Sequence, residues 1–124
     1  MDLYIDTSKK TKINIQLKNN NKLVAKKNFD APFRQAEKLL LEIDKLLNVN
    51  NIDLQNISGI LVKDSGESFT ALRIGIVTAN ALAYALDIPV FDWDKNQTEK
   101  VVNINIIKPK YNKGPNITVA KKKI

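Results

Sequence analysis

The 124-residue chain contains no cysteine and no histidine. The first absence excludes a disulfide framework, thiolate metal sites, iron–sulfur clusters and cysteine nucleophiles. The second removes the imidazole general base and the usual zinc ligands. Any catalysis would have to run on carboxylates, lysines, hydroxyls or a bound metal–nucleotide. Aromatic residues make up 6% of the chain and are scattered. Single-strand binding by stacked rings is therefore poorly supported, and Phe91 and Trp93 read as packing residues. No run approaches the ~20 apolar residues of a membrane span. The opening Met1-Asp2-Leu3-Tyr4 lacks the basic leader and apolar run of a signal peptide. The expectation is a soluble cytoplasmic protein with no membrane contact.

What is present suits one domain. Hydrophobic residues make up 44%, and this length supports a single core of moderate size. The formal charge is +7, unevenly spread. From Asn105 onward there are lysines at 108, 110, 113, 121, 122 and 123 and no acid, so the rest of the chain is nearly neutral. Such a tail either solvates a free end or attracts RNA or an acidic surface. Lys108, Lys110, Lys121, Lys122 and Lys123 are the candidate RNA contacts.

Patterning orders the chain. Leu3 and Ile5 read as a strand that runs into the polar Asp6-Thr7-Ser8. Lys12 to Leu17 alternates strictly, the mark of a half-buried strand. Asn19-Asn20-Asn21 is a turn, because Asn tolerates left-handed backbone, and Lys22 to Lys27 is a third strand. Asp30-Ala31-Pro32 signals a helix start, with Asp30 as cap. Ala36, Leu39, Leu40, Ile43, Leu46 and Leu47 then recur at helical spacing, predicting a helix over residues 31–47.

Ser58 to Lys63 reads as a buried strand emptying into the loop Asp64 to Ser68. Residues 70–86 read as a second helix, apolar on most sides and therefore buried on both. Ala71, Gly75, Ala79 and Ala83 form a ridge of small residues along it. Asp87-Ile88-Pro89 stops it, and Pro89 to Trp93 is the next strand. Residues 94–100 are polar linker, Val101 to Ile107 alternates like a strand, and the remainder is turn-rich and basic. The order predicts an α/β domain with a mixed sheet of about five strands and two main helices.

Three places could carry chemistry. Asp6, at the end of a strand, could hold a magnesium–nucleotide; the commoner role of Asp-Thr-Ser is a turn cap. The loop from Asp64 lies where phosphates are cradled at a helix start. It has a single glycine, Gly66, no P-loop lysine, and the negative charges of Asp64 and Glu67. Nucleotide binding there is not expected, and Ser68 or Thr70 reads as a helix cap. Arg73 either reaches a partner's carboxylate or phosphate or lies on the surface.

Two segments resemble the family of TsaB, a tRNA threonylcarbamoyladenosine biosynthesis protein. Tyr4-Ile5-Asp6-Thr7-Ser8 looks like its opening strand. Ser68-Phe69-Thr70-Ala71-Leu72-Arg73-Ile74-Gly75, with Thr78-Ala79, Leu82-Ala83 and Leu86-Asp87-Ile88-Pro89-Val90, resembles its signature helix. Ile52-Asp53-Leu54 and Ile57-Ser58-Gly59-Ile60 match its approach to that helix. The departures are Ser65-Gly66-Glu67 in place of Gly-Pro-Gly, Ala71 in place of Gly, and the lack of most of a second half. Lys108-Pro109-Lys110-Tyr111 with Pro115-Asn116-Ile117 looks like the family's closing residues. The expected layout is a TsaB-like lobe over residues 1–93, then a linker, a short strand and a basic tail over 94–124.

The resemblance implies a single lobe of the actin and Hsp70-ATPase (ribonuclease H-like) type. It also implies a non-catalytic subunit without a cofactor, supporting a TsaD-like transferase through a bundle of helices. A TsaE-like ATPase belongs to the same assembly, and a homodimer in isolation is a further expectation. The interface residues expected on that basis are Leu39, Leu40, Ile43, Ala71, Leu72, Gly75, Ile76, Ala79 and Ala83. Two other readings stay open: a one-lobed ATPase or kinase acting as a dimer, and an RNA-binding module using the basic tail.

Overall fold

The computed structural model describes residues 1–31 and 35–93. Strand β1 spans Asp2–Asp6, β2 Lys12–Asn19 and β3 Lys22–Asp30; helix α1 spans Gln35–Val49. A 3-10 turn at Leu54–Asn56 leads to β4, Gly59–Val62, then α2, Phe69–Leu86, and β5, Val90–Asp92. The sheet order is β3-β2-β1-β4-β5. β1 and β3 flank β2 as antiparallel neighbours, β4 joins β1 in parallel, and β5 joins β4 in parallel. This is the mixed five-stranded sheet that the alternation of motifs predicts.

Period-2 spacing decides what the sheet buries. Leu3 and Ile5 of β1 stand opposite Leu17 and Ile15 of β2, and Ile60 and Val62 of β4 continue the same face. All are at most 1% exposed. Both helices cover this face: Leu39, Ile43, Leu46 and Leu47 of α1 and Leu72, Ile76, Ala79 and Ala83 of α2 complete one core. The helix spacing read from the sequence and the strand spacing therefore point at the same layer, as a two-layer domain requires.

The connections follow from local chemistry. Asn20 and Asn21 both have positive φ, 53° and 67°, between β2 and β3. That is the two-residue turn whose twist matches a hairpin, and Asn is among the few residues that adopt it cheaply. Ser68 caps α2 through its side chain, which accepts from the Ala71 amide at 3.2 Å. α2 ends at Asp87 in the left-handed region (φ 57°), whose N–H bonds back to Ala83 and Tyr84.

The start of α1 differs from expectation. β3 continues to Asp30, which pairs with Lys12 across the ladder and by an ion pair at 3.6 Å. Asp30 is thus a strand residue, and the described helix opens at Gln35. Pro32 and the whole of 94–124, with the expected linker, strand and lysine tail, lie outside the described residues.

One polar pair interrupts the core. Lys27 of β3 stands opposite Ile15, on the face toward the helices. Its ammonium meets the Glu42 carboxylate of α1 at 2.6 Å, and Glu42 is 5% exposed. Hydrogen bonding to Lys27 holds the Glu42 carboxyl below its ordinary range although burial pushes it up. The charge at position 27 on an inward-facing strand position is explained by this partner.

Candidate functional site

The carboxyl ends of β1 and β4 meet where a nucleotide would sit in a doubly wound sheet. Here Asp6 forms a local turn: its Oδ1 accepts from the Ser8 amide at 2.8 Å and the Ser8 hydroxyl at 2.6 Å. The loop after β4 closes down on the same segment. The Glu67 amide donates to the Ser8 carbonyl at 2.8 Å, the Glu67 carboxylate accepts from the Lys10 amide at 3.2 Å, and Lys9 pairs with it at 3.8 Å. Gly66 lies against Ser8 so closely that an added Cβ would fall 2.6 Å from the Ser8 Cα. One loop amide that could face a phosphate is therefore engaged within the chain, and a carboxylate stands beside it. Among the described residues no group of three acidic, cysteine or histidine side chains could hold a metal ion. Asp6 serves the turn, the commoner of its two sequence readings.

The ridge of small residues on α2 has a different destination from the one expected. Ala71, Ala79 and Ala83 are at most 1% exposed, and Gly75 is buried with them. A Cβ on Gly75 would collide with Thr7, the residue after β1. The ridge thus lets α2 descend onto its own sheet. Leu39, Ile43, Leu72 and Ile76 are likewise core residues, at most 3% exposed. Of the nine residues expected at an interface, Leu40 alone is turned outward, at 52%. The physical reason is close approach: small side chains serve any packed neighbour, and here the neighbour is the chain's own β1.

What α2 presents outward is its other side. Phe69, Arg73, Val77, Ala81 and Tyr84 recur at helical spacing and are all exposed, with Tyr84 at 88% and Val77 at 57%. Arg73 holds its guanidinium 5.9 Å over the Phe69 ring. Beside this stripe, Leu40, Ile43 and Leu47 of α1, Leu82 of α2 and Leu54 of the 3-10 turn line a groove of about 290 Å³. The outward side of the two helices therefore carries an exposed apolar stripe beside a groove of leucines and isoleucines rimmed by Asp44, Asn48 and Asp53. The sequence signal for it was the apolar character of α2 nearly all round; the choice of side was not in the periodicity. By length and composition α2 could also cross a membrane, a test that the core helix of a soluble protein passes too.

Trp93 and Phe91 pack as expected. The Trp93 ring stands edge-on to Tyr4 at 5.1 Å, and Lys63 lies 5.5 Å over it.

Comparison with known proteins agrees with this architecture. Residues 31–94, over half of the chain, match the family model described as TsaD, tRNA N6-adenosine threonylcarbamoyltransferase. Among solved structures, YeaZ from Pseudomonas aeruginosa is similar, with 26% identity over 73% of this chain and a TM-score of 0.66. A second structure, described as an uncharacterised protein with similarity to peptidase YeaZ from the same organism, gives 26% identity and a TM-score of 0.67, again over 73% of this chain. The chain spans 43% and 41% of the lengths of those two proteins. No curated protein matches. The five-stranded sheet with two helices corresponds to the actin-like lobe of the YeaZ structures. The matched segment, running from the start of α1 through β4 and α2 to β5, and the shared lobe together identify the chain as a TsaB-like (YeaZ-like) member of the TsaD family.

Proposed function

We propose that this protein is a non-catalytic subunit of the machinery that installs threonylcarbamoyl groups on tRNA adenosine, and that it binds a TsaD-like transferase through the outward side of α1 and α2. The observation that carries the reading is the apolar stripe Phe69, Val77 and Tyr84, continuous in sequence with the family-matched segment. Aromatic anchors beside a groove with an apolar floor and a polar rim suit a protein interface, and Leu40 and Leu82 line that groove, with Asp44 and Asp53 at its rim. The engaged loop between β4 and α2, with Glu67 beside it, argues against phosphoryl chemistry on this lobe. A soluble cytoplasmic location follows from the assignment to tRNA modification.

The test is co-expression with the TsaD-like protein of the same genome, followed by size-exclusion chromatography with light scattering. Co-elution at a defined ratio, lost with Tyr84→Arg, is the expected result. Separate elution of the two proteins would overturn the partner role. A homodimer lost with the same substitution would assign the face to self-association, and retention of a TsaE-like ATPase on the complex would extend the assembly.

A further inference from the structure

The near-neutral body of the chain is neutral only as a sum. Residues 9–28 hold seven lysines and no acid, and all thirteen acidic residues of the protein lie outside them. This span is the approach to the β2–β3 hairpin and the hairpin itself up to Asn28; β3 ends two residues later at Asp30. Three of its lysines are tied down: Lys9 to Glu67, Lys12 to Asp30 and Lys27 to Glu42. Lys18, Lys22 and Lys26 make no ion pair among the described residues, although Asp2 stands opposite Lys18 across the β1–β2 ladder.

The register places Lys18 and Lys26 on one surface and Lys22 at the hairpin tip. Lys26 stands opposite Gln16, and Asn28 opposite Asn14, on the face turned away from the helices. Lys18 lies two residues further along the same side of β2, its ammonium 4.5 Å above the Tyr4 ring. Lys22, opposite Asn19 just after the Asn20-Asn21 turn, stands on the other side at the exposed tip of the hairpin. Between them the amides are already ordered: Asn14 donates to Asn28, and Gln16 donates to Asn14 at 2.9 Å. Alternate residues on a strand stand ~6.6 Å apart, so cations and amides alternate along the β3 edge of the sheet.

The geometry points to the outward face of the β2–β3 hairpin, with its tip at Lys22, as a contact surface for the RNA sugar–phosphate backbone. Lysines supply the sequence-independent attraction through counterion release, and side-chain amides bond phosphate and sugar oxygens. An acidic protein fits less well: protein interfaces are depleted in lysine and built on aromatic or methionine anchors, and this row has none. The choice of RNA rests on the function proposed above, whereas the surface itself rests on charge and register.

The test uses the full chain and a fluorescently labelled tRNA transcript, with anisotropy read over a series of salt concentrations. Lys18→Gln/Lys22→Gln/Lys26→Gln is expected to reduce the slope of log affinity against log salt by about 2–3. Lys22→Glu/Lys26→Glu, which leaves the Lys18–Tyr4 contact in place, should weaken binding further at low salt, with an unchanged circular dichroism spectrum. Lys121→Gln/Lys122→Gln/Lys123→Gln is the control for the tail. No tRNA binding by the parent chain would overturn the inference. So would hairpin variants that keep the full slope while the tail variant loses it, or a hairpin that captures an acidic peptide and not tRNA. Co-elution with the transferase is measured on the same variants. Retained co-elution with lost tRNA binding separates this surface from the partner face, and tRNA binding without co-elution would sustain the surface while removing the partner role.

Discussion

Gly75→Ala is the most informative single substitution. In an isolated helix it would stabilise by about 1 kcal/mol, because Ala is the better helix former. In this protein a Cβ at position 75 meets Thr7 at three atoms: Oγ1, Cγ2 at 3.0 Å and Cβ at 3.1 Å. Thr7 is fully buried, so it has little room to withdraw, and rotating its side chain exchanges one clash for another. Overpacking of this kind costs about 1–3 kcal/mol, and the contact is at the tight end of that range. The net expectation is a loss of about 1–2 kcal/mol, a fall in Tm of about 5–15 °C for a domain of this size. Urea unfolding of the single and double variants is the assay. Thr7→Ala removes two of the three clashing atoms along with a buried hydroxyl that has no hydrogen-bond partner among the described residues. The double variant should therefore recover about 1 kcal/mol relative to additivity. A Gly75→Ala protein more stable than its parent, or zero coupling with Thr7→Ala, would refute the close approach of α2 to β1.

The two sides of α2 should respond oppositely to charge. Ala79→Arg, at a position with no exposure, is expected to unfold the chain, while Val77→Arg leaves the melting curve within about 0.5 kcal/mol and abolishes co-elution with the partner; a folded Ala79→Arg protein would show the helix rotated. Removing the lysine from this half-exposed pair by Lys27→Met should cost about 1 kcal/mol in urea unfolding, and Glu42→Leu in the same chain should restore most of it. Because the folded Glu42 carboxyl titrates below its ordinary value of 4.5, its contribution is present above that pH and is lost as pH falls through the lowered value. An acid unfolding profile that Glu42→Gln leaves unchanged would contradict this. Asp87→Gly relieves a left-handed non-glycine residue at the α2 terminus and should stabilise by about 0.5–1 kcal/mol, read as a rise in Tm.

The hairpin was legible from sequence alone. Strict alternation from Lys12 to Leu17 sets which side chains enter the core, and the Asn run sets the turn, because a strand has two faces and Asn adopts positive φ. The cap at Ser68 and the stop at Asp87 to Pro89 were equally local. Asp30 misled because a capping signal and a strand end look alike until the ladder to Lys12 is known. Lys27 reads as a surface residue until Glu42, fifteen positions away on another element, is seen beneath it. The rotation of α2 was the largest matter left to the tertiary structure. Its residues are apolar on nearly every side, so periodicity marks no single face, and a ridge of alanines fits a sheet as well as a partner helix. Thr7 decides between them: it is the residue across from Gly75, and only the packing of β1 under α2 brings the two together. Short-range steric and periodic rules therefore determined the strands, turns and helix ends, while contacts between residues distant in sequence decided which side of α2 faces outward.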